Sequence, residues 1–261
     1  MRVLIVAGGT GGHIYPAATL VDYLRKQNNA HLILWIGGEG ELERKIIPRE
    51  KVEFKKICAQ PCPRSFSLKW VNFFLKMGFS LLQSLRYILT FKPDVMVGMG
   101  SFHCFPVALA AFLCGIPVVL CEQNICLSLT NRMLLPLASE IALSFSSSKN
   151  YLPFWGKEKA VITGNPVREE IITTSKEEGI EKLGLEKGRF TLLFLGGSQG
   201  ARFLNEVAIE TLHLLEEKEK IQFIPLHDFP AGGFVPGGGS IRGFNGIHKR
   251  ASHVRPTEAS D

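Results

Sequence analysis

The chain has 261 residues, 46% of them hydrophobic and 21% charged, with a formal net charge of +6. That length holds one large or two modest domains, and the composition is that of an ordinary soluble globular protein. The positive balance suits anionic partners such as phosphorylated substrates, acidic lipids or nucleic acid, and charge alone selects none of them. Six cysteines, at 58, 62, 104, 114, 121 and 126, include no C-x-x-C pair, which argues against a zinc site. Cys114 and Cys121 fall in apolar runs and are expected to be buried, reduced thiols. With Val3 already opening a strand, no signal peptide is expected.

Residues 2–7 form a short apolar run that predicts a buried strand, followed directly by Gly8-Gly9-Thr10-Gly11-Gly12-His13. Ala17, Leu20, Val21 and Leu24 then recur at helical spacing, with Pro16 expected in the helix's first turn, where proline is tolerated. A strand feeding a glycine-rich turn into a helix N-terminus builds an anion site. Glycines let backbone N–H groups approach an oxyanion, and the helix dipole adds partial positive charge. A tight turn without a ligand is the bland alternative. Gly9 and Gly11 match the first two glycines of G-x-G-x-x-G, but Ile14 takes the third place, and no lysine–hydroxyl pair follows to make a P-loop.

Residues 31–36 predict a second strand closed by Gly37-Gly38, residues 41–47 a short helix and residues 52–57 a third strand. Apolar strands alternating with helices indicate an α/β fold whose parallel sheet is covered on both faces. Residues 65–91 crowd Leu68, Trp70, Val71, Phe73, Phe74, Leu75, Met77, Phe79, Leu81 and Leu82 together with Lys69, Lys76 and Arg86. The charges interrupt this stretch too often for a transmembrane span, which needs about twenty apolar residues in a row. Two readings stay open: a pair of buried helices, or a helical surface that presses aromatic side chains into a membrane while basic residues meet headgroups.

Residues 95–98 predict a strand entering a second glycine-bearing turn, Gly98 with Gly100. A helix over 107–114 and a strand over 117–121 follow, and the strand's carboxyl end carries Glu122-Gln123-Asn124, where open α/β sheets bind ligands. A polar turn before the next helix is the alternative there. Residues 131–137 predict a helix and 141–144 a strand, and a strand over 161–163 runs into Gly164-Asn165-Pro166-Val167-Arg168. Residues 176–188 are charged and turn-rich, a linker or a helix opening a second domain. The first pattern then repeats as a strand over 190–195, the loop Gly196-Gly197-Ser198-Gln199-Gly200 and a helix over 201–215, which implies a second Rossmann-like half. Residues 221–224 predict one more strand. From Pro225 onward apolar periodicity gives way to proline and glycine, a composition that cannot offset chain entropy by burial.

Four motifs occur together and in order: Gly8 to His13, the run through Pro117 that ends in Glu122-Gln123-Asn124, Gly164-Asn165-Pro166-Val167-Arg168, and Gly196-Gly197-Ser198-Gln199-Gly200-Ala201-Arg202. In this combination the chain resembles the MurG family of bacterial cell-wall glycosyltransferases, over roughly residues 1–224. The resemblance implies two Rossmann-like domains facing across a cleft (the GT-B type): an acceptor- and membrane-binding domain over 1–163 and the start of a donor domain over 164–224, truncated, with an atypical tail over 225–261. It implies transfer of N-acetylglucosamine from UDP-GlcNAc to lipid I (undecaprenyl-pyrophosphoryl-MurNAc-pentapeptide), giving lipid II with inversion at the anomeric carbon. His13 is then the candidate base, with Glu122 its rival. Thr10, Gly11 and Gly12 would lie near the acceptor pyrophosphate, Asn124 would hydrogen-bond the donor sugar, and Arg168 and Ser198 would hold the donor's phosphates. Neither a metal nor a cofactor beyond the donor substrate is implied, and no nucleic acid partner. The family is peripheral on the cytoplasmic face of the inner membrane, which favours anionic-lipid contact through residues 68–82.

The family's donor domain continues well past the position of Ile224, and nothing in 225–261 matches the segments that grip uracil, ribose and sugar. A shifted reading frame or early truncation is therefore expected, and with it an alternative function: an inactive remnant that keeps only the acceptor- and membrane-binding half. An unrelated nucleotide-binding oxidoreductase is disfavoured by Ile14 and by Gly37-Gly38, where an acidic ribose partner is wanted.

Overall fold

The computed structural model describes residues 1–27, 31–63, 69–194 and 221–225. The chain divides into two compact units, Met1–Glu169 and Glu170–Asp261. In the first, β1 (Arg2–Val6), α1 (Gly11–Gln27), β2 (Leu32–Gly37), α2 (Glu41–Ile46), β3 (Glu53–Lys56), α3 (Lys69–Phe91), β4 (Val95–Gly98), α4 (Cys104–Leu113), β5 (Val118–Glu122), α5 (Leu129–Leu134), β6 (Glu140–Leu143), α6 (Phe154–Lys157) and β7 (Ala160–Ile162) follow in order. The strands form one parallel sheet of order β3-β2-β1-β4-β5-β6-β7. The order reverses between β1 and β4, so the chain leaves these neighbours toward opposite sides and opens a crevice at their carboxyl ends. α7 (Glu169–Thr173) lies at the boundary. The second unit contains α8 (Lys176–Leu183) and the parallel pair β8 (Phe190–Phe194) and β9 (Ile221–Pro225). α8 starts at a full capping box, with Ser175 and Glu178 satisfying each other's backbone N–H groups, and ends on Gly184 in the left-handed region.

Alternation along the central strands divides the core in two. Leu4, Val6, Leu34, Ile36 and Met96 face α3 and α4, whereas Val3, Ile5, Ile33 and Trp35 face α1 with Ile14, Ala17 and Val21. Each large side chain removed from water in this way contributes ~1.5–3 kcal/mol, which is why the apolar strand runs fold only with both faces covered.

Several elements depart from their sequence expectation. The stretch from 69 to 91 is one helix of 23 residues, not a pair of buried helices. Only Ser80, Ser84 and Ile88 are buried on it. Small serines let α3 approach the alanine-rich α4, and Ser84 returns its hydroxyl to the Ser80 carbonyl at 2.7 Å. Its other face leaves Val71, Phe74, Leu75, Phe79 and Leu82 each more than half exposed. Leu68, expected in the same stretch, lies outside the described residues, as do the second glycine loop with Ser198 and residues 226–261. α1 begins at Gly11, so Pro16 falls beyond its first turn and leaves the Gly12 carbonyl without a helical donor. Cys114 and Cys121 keep part of their surface; the fully buried thiol is Cys104, which opens α4 against β1 and donates to the Val6 carbonyl at 3.4 Å. Burial pushes the Cys104 thiol up to about 11, so it is an inert core group.

The ends of β1 and β2 approach each other closely. The buried Trp35 donates its indole N–H to the Ala7 carbonyl at 3.0 Å, and a Cβ added at Gly37 would lie 2.5 Å from that same oxygen. Gly37→Ala should destabilise the chain by about 2 kcal/mol through overpacking, read as a lowered urea midpoint at unchanged m-value. A midpoint equal to that of the native chain would mean that the two strand ends are free to separate.

Candidate active site at the carboxyl ends of the strands

Four segments converge where β1, β2, β4 and β5 end. The first is the turn after β1. Gly9 has φ +88°, a left-handed conformation that suits glycine, and Gly8 is walled in, since a Cβ there would lie 2.9 Å from Glu43 Oε1 and 3.0 Å from His103 Nδ1. Thr10 then caps α1 with its carbonyl, which accepts the N–H groups of His13 and Ile14, both at 3.1 Å. Gly11 is buried, while Thr10 and His13 are half-buried and Gly12 is exposed. α1 therefore presents its N-terminus, with the dipole's positive end, at the crevice.

The His13 imidazole lies beside the backbone of Met99, after β4, and beside Glu122 and Gln123, at the end of β5. Burial lowers its pKa below the ordinary 6.5; the Met99 backbone, the charge of Glu122 and the Gln123 side chain act the other way. Its Nδ1 is buried without a hydrogen-bond partner among the described residues. His13 is thus a neutral imidazole near pH 7, with a nitrogen able to accept a proton.

Glu122 is only 1% exposed, and its carboxylate is fully engaged. Oε1 accepts the Asn124 backbone N–H at 3.1 Å and its Nδ2 at 2.9 Å. Oε2 accepts the Ser128 N–H at 2.7 Å and Asn131 Nδ2 at 2.9 Å. A carboxylate offers about four acceptor directions, so these donors saturate it. Glu122 therefore shapes the 123–128 loop and the start of α5, where Ser128 Oγ caps the Asn131 N–H at 3.2 Å. Asn124 is exposed at the crevice with its amide nitrogen committed to Glu122.

The structure thus brings Thr10, Gly11, Gly12, His13, Glu122 and Asn124 to one end of the sheet. Arg168 reaches the same helix from another side: its guanidinium lies 5.1 Å from the centroid of the Tyr15 ring, a cation–π contact. Lys26 of α1 pairs with Glu169 nearby. Ser198 lies outside the described residues.

Sequence reasoning missed Asn131, Glu43 and His103. Asn131 had a signal, since Ser128 stands three residues before it at a helix start. The other two had none: a glutamate on a short charged helix reads as solvated, yet Glu43 and His103 are each 3% exposed. His103 stacks on Phe102 with ring centroids 4.0 Å apart, and both residues line a cavity of about 410 Å³ with Gly9, Gly38, Glu43 and Lys76. Burial, and then the positive charge His13 would carry, lower the His103 pKa to about 4. Among the described residues no group of three or more His, Cys, Asp or Glu side chains is placed to hold a metal ion.

His103 makes folding pH-dependent. An unfolded histidine titrates near 6.5, so on acidification the unfolded chain binds the proton before the folded one does. Its contribution is fully present above about pH 6.5 and falls by up to ~3 kcal/mol as the pH drops to 4. His103→Gln should flatten the slope of stability against pH in this window, measured by urea unfolding; a slope identical to that of the native chain would contradict the burial of a neutral imidazole. His13, lowered in the same direction, keeps its own part of the slope.

The glycosyltransferase family 28 N-terminal domain matches residues 3–143. A UDP-N-acetylglucosamine–N-acetylmuramyl-(pentapeptide) pyrophosphoryl-undecaprenol N-acetylglucosamine transferase from Halothermothrix orenii is 43% identical over 226 residues, covering 87% of this chain and 60% of that protein. A transferase of the same name from Caldanaerobacter subterraneus is 38% identical over 224 residues, covering 86% and 61%. The chain thus spans about 60% of the length of the curated relatives it matches. Among solved structures, Acinetobacter baumannii MurG superposes with TM-score 0.61 at 23% identity over 87% of this chain and 69% of that one. A Neisseria meningitidis UDP-GlcNAc 2-epimerase gives TM-score 0.61 at 18% identity over 100% of this chain and 73% of that one, a likeness of fold alone. With its parallel sheet, its glycine turn at the topological switch point and this match across most of the first unit, the chain belongs to glycosyltransferase family 28.

Proposed function

We propose that the chain serves an inverting N-acetylglucosaminyltransferase that moves GlcNAc from UDP-GlcNAc to lipid I, forming lipid II in peptidoglycan synthesis. The observation that carries this reading is His13 itself: a neutral, half-exposed imidazole at the N-terminus of α1, in the crevice where β1 and β4 part. The identity of 43% with a transferase named for this reaction supports the substrate class. In the proposed reaction His13 takes the proton of the acceptor hydroxyl as that oxygen attacks the anomeric carbon. The bond from that carbon to the UDP oxygen breaks, UDP leaves with the electron pair, and the single displacement inverts the configuration.

Thr10, Gly11 and Gly12, at the positive end of α1, are the proposed seat of the acceptor pyrophosphate. Asn124 is proposed for the donor sugar, and Arg168 and Ser198 for the donor phosphates, with no resident cofactor or metal. Glu122, saturated by four donors, is proposed as the orienting group whose negative field steadies the His13 imidazolium as it forms, rather than as the base.

The reading includes a peripheral seat on the cytoplasmic face of the inner membrane. Among the described residues no helix is long and apolar enough to cross a membrane. α3 instead offers Val71, Phe74, Leu75, Phe79 and Leu82 to solvent beside Lys69, Lys76 and Arg86. An exposed apolar stripe flanked by cations suits anionic lipid, where each basic residue near the surface adds about 1 kcal/mol.

Two measurements test these assignments. His13→Ala should lower GlcNAc transfer to a lipid I analogue by about 10²–10⁴-fold, the usual worth of a general base, provided the chain transfers at all. Unchanged turnover would remove His13 from that role, and a folded chain that fails to bind UDP-GlcNAc would reduce the reading to an acceptor-binding half. The double variant Phe74→Glu with Phe79→Glu should weaken binding to anionic vesicles by about tenfold or more, because each phenyl withdrawn from an apolar phase forfeits ~1.5–3 kcal/mol. Binding equal to that of the native chain would take α3 out of lipid contact.

A further inference from the structure

Glu43 stands on α2, in a charged segment between β2 and β3, yet it is 3% exposed. Its Oε1 accepts the Gly9 backbone N–H at 2.8 Å, a charge-assisted bond that spans 34 positions of sequence. The surroundings are shaped to admit it. A Cβ at Gly8 would lie 2.9 Å from Oε1 and one at Gly38 would lie 3.3 Å from it, while one at Gly40 would strike Oε2. His103 fills the rest of the space, its Nδ1 3.0 Å from the Gly8 position and its Nε2 2.7 Å from the Gly38 position. Three glycines thus make room for a carboxylate and an imidazole directly beneath the first turn.

The consequence runs along the backbone to the site. Gly9 precedes Thr10, whose carbonyl accepts the N–H groups of both His13 and Ile14. The orientation of this peptide sets the first turn of α1, and with it the direction of the His13 side chain. A turn of consecutive glycines has many accessible conformations, and ordering it is entropically expensive. Among the described residues Glu43 is the acceptor of the Gly9 amide.

We propose that Glu43 is a positioning residue: by accepting the Gly9 N–H it holds the glycine turn in the one conformation that presents Thr10 to His13 at the crevice, with His103 packed behind as a wedge. This rests on the reading of His13 as the base, but it is tested on the chain without substrates. Gly9 is an exposed residue, so its amide should exchange slowly only because of this bond. The experiment is amide exchange at Gly9, together with the His13 ring resonances, by NMR on the full chain and on three variants.

Glu43→Ala removes the acceptor, Glu43→Asp keeps the charge but draws the acceptor back, and Glu43→Gln keeps an oxygen in place without the charge. Glu43→Ala and Glu43→Asp should speed Gly9 exchange by about tenfold or more and shift the His13 ring signals. Glu43→Gln should retain most of the protection and the native His13 signals. Should Glu43→Ala not fold, the contrast between Asp and Gln decides alone. Native protection in the Asp variant, or loss as large in Gln as in Asp, overturns the proposal. Failed GlcNAc transfer with the expected Gly9 and His13 pattern would count against the functional reading only, leaving the positioning role intact.

Discussion

The ends of β1 and β2 approach so closely that side chains are excluded between them. A Cβ at Gly37 would overlap the Ala7 carbonyl, and one at Gly8 would meet both Glu43 and His103. This exclusion makes the crevice possible, because it draws the turn after β1 and the turn after β2 into one layer. The Ala7 carbonyl, turned toward β2, is satisfied by the Trp35 indole instead of by water. With both strand ends closed in this way, the chain can leave β1 only upward into α1, and the helix N-terminus faces the point where the sheet order reverses.

Around this point the protein uses similar groups for different ends, and burial decides which. His13 and His103 are both lowered in pKa, but His13 keeps a partly open ring whereas His103 is sealed and serves packing. Glu43 and Glu122 are both nearly inaccessible, and each accepts at least one backbone N–H from a loop at the crevice. A buried carboxylate that accepts several N–H bonds fixes a loop more firmly than a neutral acceptor, since charge-assisted bonds are roughly twice as strong. The two turns that frame the crevice are each tied to a buried carboxylate, by one N–H bond at Glu43 and by four at Glu122.

α3 shows the same division on a larger scale. On its inner stripe Ser80 and Ser84 allow close approach to α4, and Ile88 enters the core with Leu81 and Leu85 packed against it. The outer stripe is broad, aromatic and largely exposed, and Trp70, Phe73 and Phe74 pack ring on ring at 5.4 to 5.7 Å. An apolar face of that size on a water-soluble surface carries a standing solvation cost. In the proposed function that cost is offset at a lipid surface, on the same unit that carries His13.

The α/β class, the run of parallel strands and the glycine turn with His13 were legible in the sequence, because apolar runs, helical periodicity and glycine all report local backbone preference. Glu122 and Asn124 were legible as polar residues closing a buried strand, but their relation was not: four donors converge on Glu122 from residues 124, 128 and 131, and only the folded loop brings them together. The 69–91 stretch was legible as apolar and basic, while its being one helix with one buried stripe depended on where α4 came to lie. Glu43 and His103 left no trace in the sequence, since neither spacing nor composition says that a glutamate 34 residues away will hold the Gly9 amide. Local chemistry writes the elements; which polar groups meet beneath them is settled by long-range packing, where the absence of three Cβ atoms leaves room for two side chains from elsewhere in the chain.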